Sequence, residues 1–157
     1  MLTHLNDKLN RLIQQHSGGS CELTLDTPEG QFTAQLETID QLACTFSLLR
    51  LEANKLAAAT IDELAAVATD LSSRLSYLLE TISPVEIDRD MCIVQMRSSP
   101  PEQGDQGTFY YELVLRQGAI DLCRYQKSPG DVREAVPATV TREVLGRLAE
   151  DFVAAIP

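Results

Sequence analysis

The chain has 157 residues, 44% of them hydrophobic and 23% charged, which predicts one globular domain spanning residues 1–157, able to bury a core without metals or disulfides. Its 23 acidic and 13 basic residues give a formal net charge of -10. Phosphate backbones and anionic membranes repel such a surface, so neither nucleic acid nor a membrane is an expected partner.

The opening residues, Met1-Leu2-Thr3-His4-Leu5, lack a basic start, an apolar run and a small-residue cleavage site, so no signal peptide is expected. No stretch reaches the roughly 20 apolar residues that span a bilayer, and a cytoplasmic location follows as the expectation. Residues 3–16 read as a surface helix, with Leu5, Leu9, Leu12 and Ile13 at helical spacing, Thr3 as cap and Gly18-Gly19 as stop. Three strands follow. Cys21, Leu23 and Leu25 alternate with polar residues. The turn Thr27-Pro28-Glu29-Gly30 leads to Phe32, Ala34 and Leu36, and then to Leu42, Cys44, Phe46 and Leu48.

The middle helix is expected over Thr60–Ile82. Thr60-Ile61-Asp62-Glu63 forms a capping box, and Pro84 ends the helix. Leu64, Ala68, Leu71, Leu75, Leu78 and Ile82 make one stripe, widened by Ile61, Val67 and Leu79 to about 160°. A stripe of that width packs on a sheet and has room to touch a partner.

A second strand group fills 85–127. Val85 and Ile87 precede a turn at Asp88-Arg89-Asp90, and Cys92, Val94 and Met96 form the next strand. Ser98 to Gly107 is rich in proline and glycine and reads as a mobile loop. Thr108–Arg116 and Ala119–Lys127 then flank the two-residue turn Gln117-Gly118. Pairing Arg116 with Ala119 sets Phe109, Tyr111, Leu113 and Leu115 on one face with Ile120 and Leu122. Tyr110, Glu112, Val114, Asp121, Cys123 and Tyr125 occupy the other, with Tyr110 across from Tyr125. Residues 131–138 read as irregular, and a last helix begins near Thr139 or Thr141 and runs to Ala155.

Few residues suggest chemistry. His4 and His16 lack partners at ligand spacing, and the carboxylate pairs Asp88/Asp90 and Glu102/Asp105 sit in solvated turns that do not drive two pKa values apart. Gly18-Gly19-Ser20 follows a helix, whereas anion-binding glycine loops precede one. Cys21, Cys44, Cys92 and Cys123 are widely spread, each within an expected strand, and read as small buried hydrophobes. No catalytic residue, metal site or cofactor is expected.

Two features suggest binding instead. Arg124 lies on the face of Leu122 and Tyr111, where it pairs with an acid at the rim or anchors a partner. Tyr110, Val114 and Tyr125 are apolar for a wet face, so either another element of the chain covers them or a partner does.

The plan Leu5–Ile13 as first helix, Cys21–Leu51 as meander, Thr60–Ile82 as middle helix and Thr139–Ile156 as last helix resembles the type III secretion chaperones, in particular the Tir-chaperone-like family. Small size and acidity are similar too. The strand group at 85–127, long enough for four strands where that family usually has two, and the 98–107 loop depart from the pattern. The fold expectation is therefore α+β, an antiparallel sheet with helices packed on it in the order α-βββ-α-ββββ-α. The resemblance implies a non-enzymatic homodimer that holds an extended segment of a protein or peptide client. Leu71, Leu75, Leu78, Tyr110, Val114, Tyr125 and Arg124 are the candidate contact residues. The alternative is a small-ligand binder or enzyme with a pocket between the final hairpin and a helix.

Overall fold

Among the described residues the alternating segments assemble into one antiparallel sheet of ten strands, joined by three α-helices into an α+β fold. The computed structural model describes residues 2–17, 19–78, 80–99 and 101–157; Gly18 and Leu79, each given a role above, lie outside them. In chain order the elements are α1 (Leu2–His16), β1 (Cys21–Thr27), β2 (Gly30–Ile39), β3 (Ala43–Ala53), α2 (Ile61–Arg74), β4 (Thr81–Asp88), β5 (Ile93–Ser99), β6 (Glu102–Gly104), β7 (Gly107–Arg116), β8 (Ala119–Lys127), β9 (Glu134–Val136), β10 (Ala138–Thr141) and α3 (Arg142–Ala154). The order α-βββ-α-ββββ-α is present, with β4, β5, β7 and β8 as the four longer strands of the second group.

The sheet runs β1-β2-β3-β8-β7-β5-β4, with β6, β9 and β10 attached to β7, β8 and β3. One face carries Leu23, Phe32, Leu51, Leu113 and Leu122, and these join residues of all three helices in a single buried cluster. Phe32 and Phe152 of α3 meet edge to face there, with ring centroids 6.1 Å apart. The turn at Pro28-Glu29 needs glycine at its end, because a Cβ on Gly30 would stand 1.8 Å from the Glu52 carbonyl oxygen. In β3 the expected alternation holds through Cys44 and Phe46 and then shifts. A bulge at Ser47 moves the buried positions to Leu49 and Leu51, leaving Leu48 half-buried, and Leu42 precedes the strand as an exposed residue.

Other element bounds also need correction. The middle helix ends at Arg74 instead of Ile82; Leu75–Leu78 form a 3₁₀ turn and β4 begins at Thr81. Leu75, Leu78 and Ile82 keep helical spacing in sequence because the turn and the strand still face the core that α2 faces. Pro84 sits inside β4, which tolerates it because β4 is an edge strand, and the register shifts between Pro84 and Glu86.

The segment read as a mobile loop holds β6, paired with β7 from Glu102↔Phe109 to Gly104↔Gly107. The break between β5 and β6 is closed by a side chain, since the Tyr111 N–H donates to Ser98 Oγ at 2.8 Å. The segment read as irregular, 131–138, holds β9 and the start of β10, which pair with β8 and β3. The hairpin is as expected, with Arg116 opposite Ala119, Tyr110 opposite Tyr125, and Gly118 at φ 88° in the turn. The capping box at Thr60 and Glu63 is also formed.

Candidate functional site

The leucine stripe is not a contact surface of the folded chain. Leu71, Leu75 and Leu78 lie in the core, because α2 and the following 3₁₀ turn lay this face on the sheet. Their expected role as partner contacts is therefore replaced by a packing role.

The tyrosine face opens away from the helices, and its own chain covers much of it. Tyr110 and Tyr125 stack with centroids 6.0 Å apart. The Arg97 guanidinium lies over Tyr110 at 4.6 Å and that of Arg133 over Tyr125 at 4.0 Å, so cations flank the ring pair. Tyr110 is buried, Tyr125 and Val114 half-buried. Beneath the stack Glu112 is buried and accepts hydrogen bonds from Gln95 and Arg133. Next to it Asp121 accepts from Arg50 through two nitrogens, at 2.6 and 2.8 Å, and pairs with Arg116 at 2.8 Å. Asp121 supplies the strongest support for the charge of Arg50, raising its pKa above the ordinary arginine value.

Arg124 projects from the core face into a cleft of about 630 Å³ lined by Leu78, Glu80, Pro101, Glu102, Tyr111 and residues 137–139. It pairs with Glu80 at 3.2 Å and with Glu102 at 2.7 Å, and its guanidinium lies 4.5 Å from the centroid of Tyr111. Ser98 donates to Glu80 at 2.8 Å, so a chain of hydrogen bonds runs from the Tyr111 N–H through Ser98 to Glu80. Burial pushes the Tyr111 phenol up, although Arg124 opposes the shift. Arg124 pairs with acids, one of the two roles weighed for it.

The sequence did not single out the free edge of the sheet. Among the described residues β4 pairs only with β5. At its start the Ser72 hydroxyl donates to the Ile82 carbonyl at 2.5 Å. Beyond that point Val85 is 55% exposed, Ile87 45% and, in the following turn, Met91 68%. Glu86, Asp88 and Asp90 stand among them. The opposite edge, β1, is partly closed by α1, because Lys8 Nζ donates to the Thr24 carbonyl at 2.5 Å.

The remaining polar candidates have local roles. Asp88 Oδ1 accepts from the N–H groups of Asp90 and Met91 and so holds a turn, while Glu102 is taken by Arg124. His4 and His16 are exposed. Cys44 is buried, and burial pushes its thiol up to about 11. Cys92 is not in a strand but in the turn before β5, at φ 56°, with its thiol 3.5 Å from the Ala59 carbonyl. Among the described residues no group of histidine, cysteine and carboxylate side chains is placed to hold a metal ion, and no helix is long and apolar enough to cross a membrane. Comparison of the chain with protein families, with curated proteins and with solved structures finds no match.

Proposed function

We propose that this chain is a non-enzymatic, cytoplasmic module that binds an extended segment of another protein along β4. The observation that carries the proposal is the open edge from Pro84 to Asp88, with Val85 and Ile87 exposed along it and Met91 beyond. An added strand satisfies unpaired backbone groups and buries alternate side chains, which is how extended peptides dock on sheet edges. Glu86, Asp88 and Asp90 favour a segment carrying basic residues. The resemblance to secretion chaperones in layout and acidity points the same way.

The homodimer belongs to the same proposal, since two β4 strands side by side would also close this edge. A client and a second copy then compete for the same groups, and two measurements separate them. Light scattering at micromolar concentration is expected to give a dimer; a strict monomer removes that part. A pull-down from the native cell extract is expected to recover a client in stoichiometric amount with the natural chain and none with Ile87→Lys. Equal recovery by both rules out the edge as the docking place.

A second reading places a small ligand in the Arg124 cleft. Its volume of about 630 Å³ falls within the ordinary range for ligand pockets. The first reading is preferred because both acids of that cleft already neutralise Arg124.

A further inference from the structure

We propose that the helix-free face of the sheet carries an oxyanion site, in a groove of about 560 Å³ lined by Arg97, Tyr110, Lys127, Asp131 and Arg133, whose ligand is phosphate or a phosphate monoester.

Arg97 is a partly buried cation of this groove without a counter-ion among the described residues. Arg50, Arg74, Arg89, Arg116, Arg124 and Arg133 each form an ion pair with a carboxylate. Among the described residues Arg11, Arg142 and Arg147 form none, and neither does Arg97, which alone has a side-chain nitrogen buried without a hydrogen-bond acceptor. It lies directly across from Glu112 in the β5–β7 register, yet Glu112 is taken by Gln95 and Arg133. Arg97 Nε is buried without a hydrogen-bond acceptor, and its guanidinium rests 4.6 Å from the centroid of Tyr110. A partly desolvated guanidinium without a counter-ion is costly, and an anion in the groove relieves that cost.

The surroundings select the ligand. Arg97, Lys127 and Arg133 reach this groove from β5, β8 and the segment before β9. Glu112 and Asp131 oppose them, and Lys127 donates to the Asp131 backbone carbonyl, not to its carboxylate. The groove therefore keeps a positive balance on a molecule of net charge -10. That overall charge disfavours a long polyanion and leaves a compact one. A guanidinium group already lies over each of the stacked rings, which disfavours a planar aromatic ligand. Recognition is through charge-assisted hydrogen bonds, and a tetrahedral oxyanion offers an oxygen to each of three donors. The stack fixes both guanidinium groups beforehand, so little ordering is left for binding to supply.

The site is separate from the β4 edge and does not depend on it. The test is isothermal titration of the full chain with inorganic phosphate and with phenyl phosphate at low, matched ionic strength. One saturable site per chain is expected, with no corresponding heat from chloride. Arg97→Gln and the exposed-site variant Lys127→Gln are each expected to weaken binding about tenfold or more, the scale of losing one charge-assisted contact. Far-UV circular dichroism checks the fold of Arg97→Gln, and Lys127→Gln carries the test if that variant unfolds. No saturable binding by the natural chain, or natural affinity in both variants, overturns the proposal.

Discussion

Arg124 sits between two carboxylates of unequal worth. The Glu80 side chain is 14% exposed and also accepts from Ser98, whereas that of Glu102 is 66% exposed. Removing a buried partner strands a charge, so Glu80→Ala is expected to lower unfolding free energy by about 2–4 kcal/mol. Glu102→Ala removes a solvent-screened pair and is expected to cost under about 1 kcal/mol. Urea unfolding of the two variants measures both, and equal losses would contradict the ranking. The position of Arg124 on the core face followed from the hairpin register alone. Glu80 was not legible as its partner, because the leucine spacing carried the expected helix through it.

Cys44 gives the residue scale a pH dependence. Its thiol, pushed up to about 11, keeps its proton where an unfolded cysteine has lost it. The folded chain therefore binds more protons between about pH 9 and 11, and stability falls as pH rises through that window. The loss is on the order of 2 kcal/mol at its end. Burial raises the pKa of Cys21, Cys123, Tyr77, Tyr111 and Tyr125 as well, so Cys44→Ala is expected to make this branch shallower in a stability–pH series without removing it, while an unchanged slope would assign it to those groups.

Among the elements, those whose signals are local were the most legible. The capping box at Thr60 and the hairpin at Gln117-Gly118 depend on neighbours within four residues, and both formed where the sequence placed them. Thr60→Ala is expected to lower stability by about 1 kcal/mol by urea titration, the usual worth of an N-cap. A loss near zero would mean that packing alone holds the start of α2. Elements fixed by distant partners were less legible. β6, β9 and β10 are three or four residues each and exist because longer strands offer them pairing positions. The end of α2 was misplaced for a related reason. Periodicity reports which residues face the core, and a 3₁₀ turn followed by a strand kept Leu75, Leu78 and Ile82 facing it. The unpaired edge at Val85 and Ile87 was not legible because alternation gives the faces of a strand and is silent about its place in a sheet.

At the scale of the molecule, the helices pack with one face of the sheet and leave the other to charged and aromatic side chains. The net charge of -10 sets acidic groups against one another across the surface. Opposing this are ion pairs such as Lys55–Glu29 and Arg89–Asp62, whose lysine and arginine side chains are 55% and 70% exposed and which are therefore worth under about 1 kcal/mol each. With ten negative charges in excess, repulsion is expected to outweigh these pairs, so that screening stabilises the fold. Sodium chloride shortens the screening length from about 30 Å at 0.01 M to about 8 Å at 0.15 M. A gain of about 1 kcal/mol over that range would raise Tm by roughly 2–4 °C for a chain of this size. Sodium phosphate at equal ionic strength screens equally and also binds, if the groove beside Arg97 is an oxyanion site, which adds stabilisation that grows with ligand concentration. The natural chain is then expected to melt higher in phosphate than in chloride, and Arg97→Gln to show the chloride rise without the phosphate surplus. A Tm that falls with chloride would instead mean that the surface ion pairs outweigh the repulsion, and a surplus that persists in Arg97→Gln would place the anion elsewhere.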